Sequence, residues 1–229
     1  DDVFGGTLAA KKRILVALAG GPASVSELAE QFGSDPNGHL SRDLGELEEA
    51  GFVAGSSGRN PVTGKAVREV RYRLRDNYTR FYLRYVLPRR EAIQNGFFKY
   101  VPLERLPGWD AIMGLQFENL IVNNYRELLK PLHLERALIV SAAPFRRESG
   151  NAMARKGVQV DLVLQTNLAV CLVEIKRRKQ LGREVISEME EKCKRITRPD
   201  GVSLKTALVY DGELVPSVEA DGYFDAVID

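Results

Sequence analysis

The sequence predicts two domains of different class. An α+β domain covers residues 1–76, an α/β domain with a mixed sheet covers residues 109–229, and a helical connector and linker at 77–108 joins them. Three observations predict this. Before Asp76 the apolar positions recur at helical spacing in three segments, then in two strand-like runs around a polar loop. Between Asn77 and Gly108 the chain turns aromatic and arginine-rich, and Pro102, Pro107 and Gly108 close the stretch as a linker. After Trp109 a helical segment is followed by three strand-like runs, a charged helix and a further strand, the order of a layered α/β core.

The elements follow in order. Residues 8–19 (LAAKKRILVALA) have helical periodicity, stopped by Gly20, Gly21 and Pro22. Ser24 and Glu27 form a capping-box pattern, in which the serine caps and the glutamate reaches back, before the short helix SELAEQFG. The turn SDPNG leads into HLSRDLGELEEAG, a helix with Leu40, Leu44 and Leu47 on one face and Gly51 as its stop. FVAGSSG and AVREVRYRLRD read as two strands. Three helices and a β-hairpin in that order resemble a winged helix-turn-helix domain, and LGELEEAGFV is similar to the end of its recognition helix and its first wing strand. In such a domain His39, Ser41 and Arg42 stand where base edges are read, although Asp43, Glu46, Glu48 and Glu49 on the same helix repel phosphate. Arg71, Arg73 and Arg75 alternate with apolar residues and line one outward face, with Arg59 and Lys65 at the loop. That face either holds phosphates, with salt-dependent affinity, or is a solvated strand face or a protein-docking surface. The loop GRNPVTGKA is not a phosphate-binding P-loop. Five residues separate its glycines, Ala66 replaces the Ser or Thr that reaches Mg²⁺, and no helix follows it.

Composition sets bounds. With 44% hydrophobic and 28% charged residues and a net charge of +2, the chain is an ordinary globular one whose basic patches must be local. Cys171 and Cys193 have no zinc-ligand spacing and point to a reducing compartment, and His39 and His133 are too far apart to suggest a ligand pair. No apolar run reaches the roughly 18 residues of a membrane span. The expected setting is the cytoplasm, with no membrane partner. The first residue is Asp instead of Met, so a fragment of something larger is expected. The sequence leaves a homo-oligomer open.

In the connector, Phe81, Tyr82 and Tyr85 recur at helical spacing, as expected of a helix packing an aromatic stripe on a neighbour; stacking on nucleic-acid bases is the other use of such a stripe. Residues 109–130 read as a helix with Leu115, Leu120, Ile121 and Leu128 among its apolar positions, followed by the strand LERALIVSAA. The loop PFRRESGNAMARKG places Arg146, Arg147, Arg155 and Lys156 before the next strand. EVISEMEEKCKRI is expected to be a solvated helix of alternating charge, LKTALVYDG a strand and YFDAVID a last one.

The chemistry concentrates in residues 157–178 (GVQVDLVLQTNLAVCLVEIKRR), two apolar strands joined by a turn at Thr166 and Asn167. Asp161, Glu174 and Lys176 interrupt them. Glu174 and Lys176 leave the same face, and hairpin pairing brings Asp161 beside Glu174. Two carboxylates on rigid strands are hard oxygen ligands for Mg²⁺, and a neighbouring lysine can position water or stabilise developing charge. The alternative is a structural ion pair of these carboxylates with Lys176 or Arg177. Asp161 followed by Glu174-x-Lys176 resembles the signature of the PD-(D/E)XK nuclease superfamily. That resemblance implies a restriction-endonuclease-like αβββαβ core and Mg²⁺ (with Mn²⁺ as its substitute) held by Asp161, Glu174 and Glu118, the acidic residue of the preceding helix, with Lys176 catalytic. The string YRLRDNYTRFYLRYVLPRR resembles the segment that joins a winged helix to a nuclease-like domain in archaeal-type prokaryotic P-loop ATPases. It implies a nucleic-acid substrate, DNA first, and an ATPase module absent from this chain. A non-catalytic DNA- or protein-binding module that regulates the ATPase is the alternative, and a regulator acting through the winged helix alone is a third reading.

Overall fold

A computed structural model of the chain describes residues 5–36, 38–61, 63–65, 67, 69–147, 157–196 and 201–229. Arg155 and Lys156 of the basic loop, and Ala66, lie outside these described residues. The chain forms two compact units: residues up to Ser56 with Arg68–Gln116, and Ser57–Val67 with Phe117–Asp229. This division differs from the expected boundaries at 76 and 108. The wing loop groups with the second unit, and the second boundary falls inside a helix.

The first unit opens with α1 (Gly5–Leu18), β1 (Ala23–Ser24), α2 (Val25–Gln31), α3 (Gly38–Glu49), β2 (Val53–Ser56) and β3 (Arg71–Leu74). The capping box forms as the sequence predicts: Glu27 N–H donates to Ser24 Oγ at 3.2 Å, and Ser24 N–H donates to Glu27 Oε2 at 2.7 Å. Gly51, at φ +80°, stops α3, and Phe52 N–H turns back to Leu47 O at 3.0 Å. The strands order as β1-β3-β2, all antiparallel. Ile14, Leu18, Leu28, Leu40, Leu44, Leu47, Val53 and Leu74 fill the core beneath them.

The connector is not one helix. It runs as α4 (Asn77–Phe81), a π-helical turn (Tyr82–Val86), a 3₁₀ turn (Leu87–Arg89) and α5 (Arg90–Gln94). Pro88 lacks the N–H that a continuous α-helical ladder needs. The aromatic stripe goes into a core, as expected of packing: Phe81 and Tyr85 meet at 5.6 Å and both approach Trp109, at 6.4 and 5.8 Å between ring centres. Tyr82 instead leans on the exposed Tyr78.

The second unit begins within α6 (Trp109–Asn123) and continues through β4 (Ile139–Arg147), β5 (Val158–Thr166), β6 (Ala169–Leu181), α7 (Glu184–Arg195), β7 (Ser203–Leu214), α8 (Pro216–Ala220) and β8 (Ala226–Ile228). The strands lie in the order β4-β5-β6-β7-β8, with β4 to β6 antiparallel and β6 to β8 parallel. This is the mixed sheet the sequence predicts. β6 is central and buried continuously from Ala169 to Ile175, as a strand covered on both faces must be. One face carries Leu162, Leu164, Cys171, Val173 and Ile175 against Phe117, Ile121 and Val122 of α6. The other carries Val160, Val163, Val170, Leu172 and Leu208 against Val185, Ile186 and Met189 of α7. The solvated helix expected at α7 is therefore solvated on one side only. In α6, Leu115 and Ile121 are packed as expected, whereas Leu120 is 51% exposed. The loop 57–67 is fastened within this unit: Gln165 Nε2 donates to Arg59 O at 3.0 Å and Arg59 N–H to Ser141 Oγ at 3.3 Å.

Candidate functional site

Strand alternation aims Val170, Leu172, Glu174 and Lys176 at one face of β6. The first two enter the core under α7. Glu174 follows them and is 1% exposed in the central strand, and Lys176 stands at the mouth. Asp161 reaches the same place through an irregularity. From Ala143 to Phe145 on β4, the partners on β5 run from Val163 to Val160, so β5 carries an extra residue where Asp161 lies. A bulge of this kind re-aims side chains and ends regular pairing. The β5–β6 register indeed stops at Leu162 opposite Val173, and beyond it Asp161 Oδ2 accepts the Ile175 N–H at 2.9 Å.

These residues line a cavity of about 870 Å³ together with Arg146, Arg147, Gln159, Glu188, Lys192 and Arg195, among others. Both Glu174 oxygens carry ammoniums. Lys176 Nζ meets Oε1 at 2.8 Å and also Glu188 Oε2 at 2.7 Å, and Lys192 Nζ donates to Oε2. Burial and the neighbouring Glu174 charge push the Asp161 carboxyl up to about 6, although Lys192, the Ile175 N–H and Lys176 pull the other way. Burial would lower the Lys176 ammonium, but the hydrogen bonds and charges of Glu174 and Glu188 outweigh it and hold its pKa above the ordinary value. Arg147 Nη2 donates to Arg195 O at 2.9 Å, and Arg195 Nη1 to Gly157 O at 3.0 Å, which fixes two guanidiniums in the cavity wall.

The expected set is thus assembled for Asp161, Glu174 and Lys176. Glu118 is not among the residues lining the cavity. It sits on α6, half-buried, beside Phe117, Ile121 and Val122, which pack on the opposite face of the sheet. Glu188 and Lys192 were not read from the sequence as site residues. The signal was present: they are four apart on α7, and each directly precedes a residue of the inward stripe, Met189 and Cys193. As metal ligands, Asp161 and Glu174 fit a hard divalent cation that takes its remaining ligands from water or a phosphate. The Asp161 carboxyl is raised by burial first and by the neighbouring Glu174 charge second, and a bound cation would offset both. Among the described residues no group of three His, Cys, Asp or Glu side chains stands together as a metal site.

In the first unit, His39, Ser41 and Arg42 are exposed near the start of α3. Arg42 lies 3.2 Å from His39 Nδ1 and 3.8 Å from Glu46, which also pairs with Lys11. Arg71 is not a free member of a basic face. Its Nη1 donates to Glu27 Oε1 at 3.0 Å and its Nη2 to Pro22 O at 3.0 Å. Arg73 is half-buried and Arg75 exposed. Arg59 and Lys65 are exposed in the loop of the second unit, and Arg59 Nη1 bonds Gly64 O at 2.9 Å.

Residues 12–55 match the family described as "Helix-turn-helix domain". The chain therefore carries such a domain, spanning the second half of α1 to β2, and that points to DNA binding or regulation. A relative from Methanocaldococcus jannaschii, "Uncharacterized protein MJECL04", is 25% identical over 177 residues, which is 76% of this chain and 37% of the relative. The chain thus spans little more than a third of the length of that relative. Among solved structures, Lactococcus lactis ZitR (C30AH42A mutant) is 17% identical with a TM-score of 0.29, covering 56% of this chain and 74% of ZitR. Protein VC1899 from Vibrio cholerae is 14% identical with a TM-score of 0.37, covering 97% of this chain and 48% of VC1899. No helix among the described residues is long and apolar enough to cross a membrane.

Proposed function

We propose that the second unit is a restriction-endonuclease-like nuclease domain that hydrolyses nucleic-acid phosphodiesters with Mg²⁺ or Mn²⁺, and that the helix-turn-helix domain contacts DNA. The observation that carries this reading is the meeting of Asp161, Glu174 and Lys176 at the end of a bulged hairpin, in a cleft edged by arginines. A buried carboxylate in a central strand is poor packing, and such groups cluster where chemistry needs them. Asp161 and Glu174 would hold the cation, which supplies a more acidic bound water and neutralises phosphate charge. Lys176 orients the attacking water or stabilises the charge that develops on phosphate. Arg147 and Arg195 contact the flanking backbone. His39, Ser41 and Arg42 face the bases or phosphates of DNA. An ATPase partner rests on the resemblance of the connector string alone.

One observation favours a second reading, a non-catalytic regulatory module: both Glu174 oxygens already carry ammoniums, as a purely structural ion pair would have them. Mn²⁺ calorimetry and nicking of supercoiled plasmid separate the two. The nuclease reading expects both signals in the wild-type chain and neither in Asp161→Ala. A folded wild-type chain that neither binds Mn²⁺ nor nicks DNA would count against the nuclease reading and favour the regulatory one.

A further inference from the structure

Resting on the metal-site reading above, we infer that Lys192 is a latch on that site: its ammonium holds the Glu174 oxygen that a divalent cation needs and must leave before the cation binds. The two lysines on Glu174 are not equivalent. Lys176 is tethered twice, to Glu174 Oε1 and to Glu188 Oε2, and springs from the central strand. Among the described residues Lys192 ion-pairs with Glu174, its charge also acts on Asp161, and its flexible stem rises from the last turn of α7 along the cavity wall. A lysine presents a point charge on four rotatable carbons, so it can swing out of the site at the cost of one ion pair. The charges agree. With both lysines in place, Asp161, Glu174 and Glu188 are balanced by Lys176, Lys192 and Arg178, which pairs with the other Glu188 oxygen at 4.0 Å. Withdrawing Lys192 leaves one negative charge uncompensated beside Glu174, which favours a cation in its place. The withdrawn ammonium stays in a cleft it shares with Arg147 and Arg195, where a phosphate backbone would receive it. The latch thus keeps the carboxylates neutralised while the site is empty, and ties cation loading to release of a cation toward substrate.

The test is Mn²⁺ titration calorimetry on the full chain for the wild type, Lys192→Ala, Lys192→Gln and Asp161→Ala, each first shown by thermal melting in chelator to be folded. A latch closed about 90% of the time weakens apparent affinity about tenfold. Lys192→Ala is therefore expected to bind Mn²⁺ about tenfold more tightly than wild type, and Asp161→Ala to lose binding. If the alanine chain does not melt cooperatively, Lys192→Gln, which keeps a donor for Glu174 without the charge, carries the comparison and is expected to shift the same way. Unchanged or weaker Mn²⁺ affinity in the folded Lys192 variants, with Asp161-dependent binding in the wild type, overturns the latch and leaves the metal site standing. No Mn²⁺ binding in the wild type or in either Lys192 variant overturns the metal site, and the latch with it.

Discussion

The two units place their charges differently. In the helix-turn-helix unit the pairs lie at the surface: Glu27 with Arg71, and Glu46 with Lys11 and Arg42, have carboxylates 39% and 44% exposed. Pairs of that kind contribute at most about 1 kcal/mol each. In the sheet unit Glu174 is 1% exposed and flanked by two lysines 17% and 19% exposed. Desolvating such a cluster costs more than well-packed apolar residues would. The contrast teaches that the surface pairs follow from composition, whereas the buried cluster is held against packing. That is where chemistry is to be sought.

The backbone sharpens the same contrast. A Cβ at Gly212, whose φ is +141°, would stand 1.8 Å from Arg178 O, because β7 runs beside β6 where the pairing of the two parallel strands is irregular between Arg177 and Gln180. A Cβ at Gly33 (φ +64°) would meet nothing within 4 Å. Gly212→Ala is expected to cost at least about 4 kcal/mol, and Gly33→Ala about 1 kcal/mol from the left-handed backbone alone. Urea melts of both variants check this. Equal losses would break the comparison.

Removing a carboxylate from each unit comes next in size. Glu174→Ala leaves two half-buried ammoniums without their shared partner and is expected to cost about 3 kcal/mol. Glu27→Ala removes one exposed pair and half a capping box, about 1 kcal/mol. Thermal melts at low and high salt give the second reading: the Glu27 loss shrinks with salt, and the Glu174 loss does not.

The smallest of the three leading effects in the sheet unit is on pH. Folded Asp161 keeps its proton up to about pH 6, where an ordinary aspartate loses it near 3.8. Between those values the folded chain binds more protons than the unfolded one, so this group's contribution falls as pH rises from about 4 to 6 and is level above. Asp161→Asn, which still accepts the Ile175 N–H, is expected to be about 2 kcal/mol more stable than wild type at pH 7 and to lose that slope. Chemical denaturation from pH 4 to 8 measures it. A variant less stable at pH 7 would make Asp161 a structural residue.

Much was legible in the sequence because its causes are local. Ser24 and Glu27 announce the capping box, Gly51 the end of α3, the turn at Thr166 and Asn167 the hairpin, and a two-residue spacing the shared face of Glu174 and Lys176; each depends on residues a few positions apart. Strict alternation of Val158, Val160, Leu162 and Leu164 on one face, by contrast, fails at the bulge beside Asp161. Tertiary structure alone decided the rest. It drew Glu188 and Lys192 to Glu174, because helix-to-sheet docking sets which flank of α7 faces β6. It left Glu118 outside the cavity, because α6 covers the other face. It committed Arg71 to Glu27 across 44 residues, and grouped the wing loop with the sheet unit through Gln165. Periodicity says which face a residue takes, but not which surface will meet that face, since packing is settled among elements far apart in the chain.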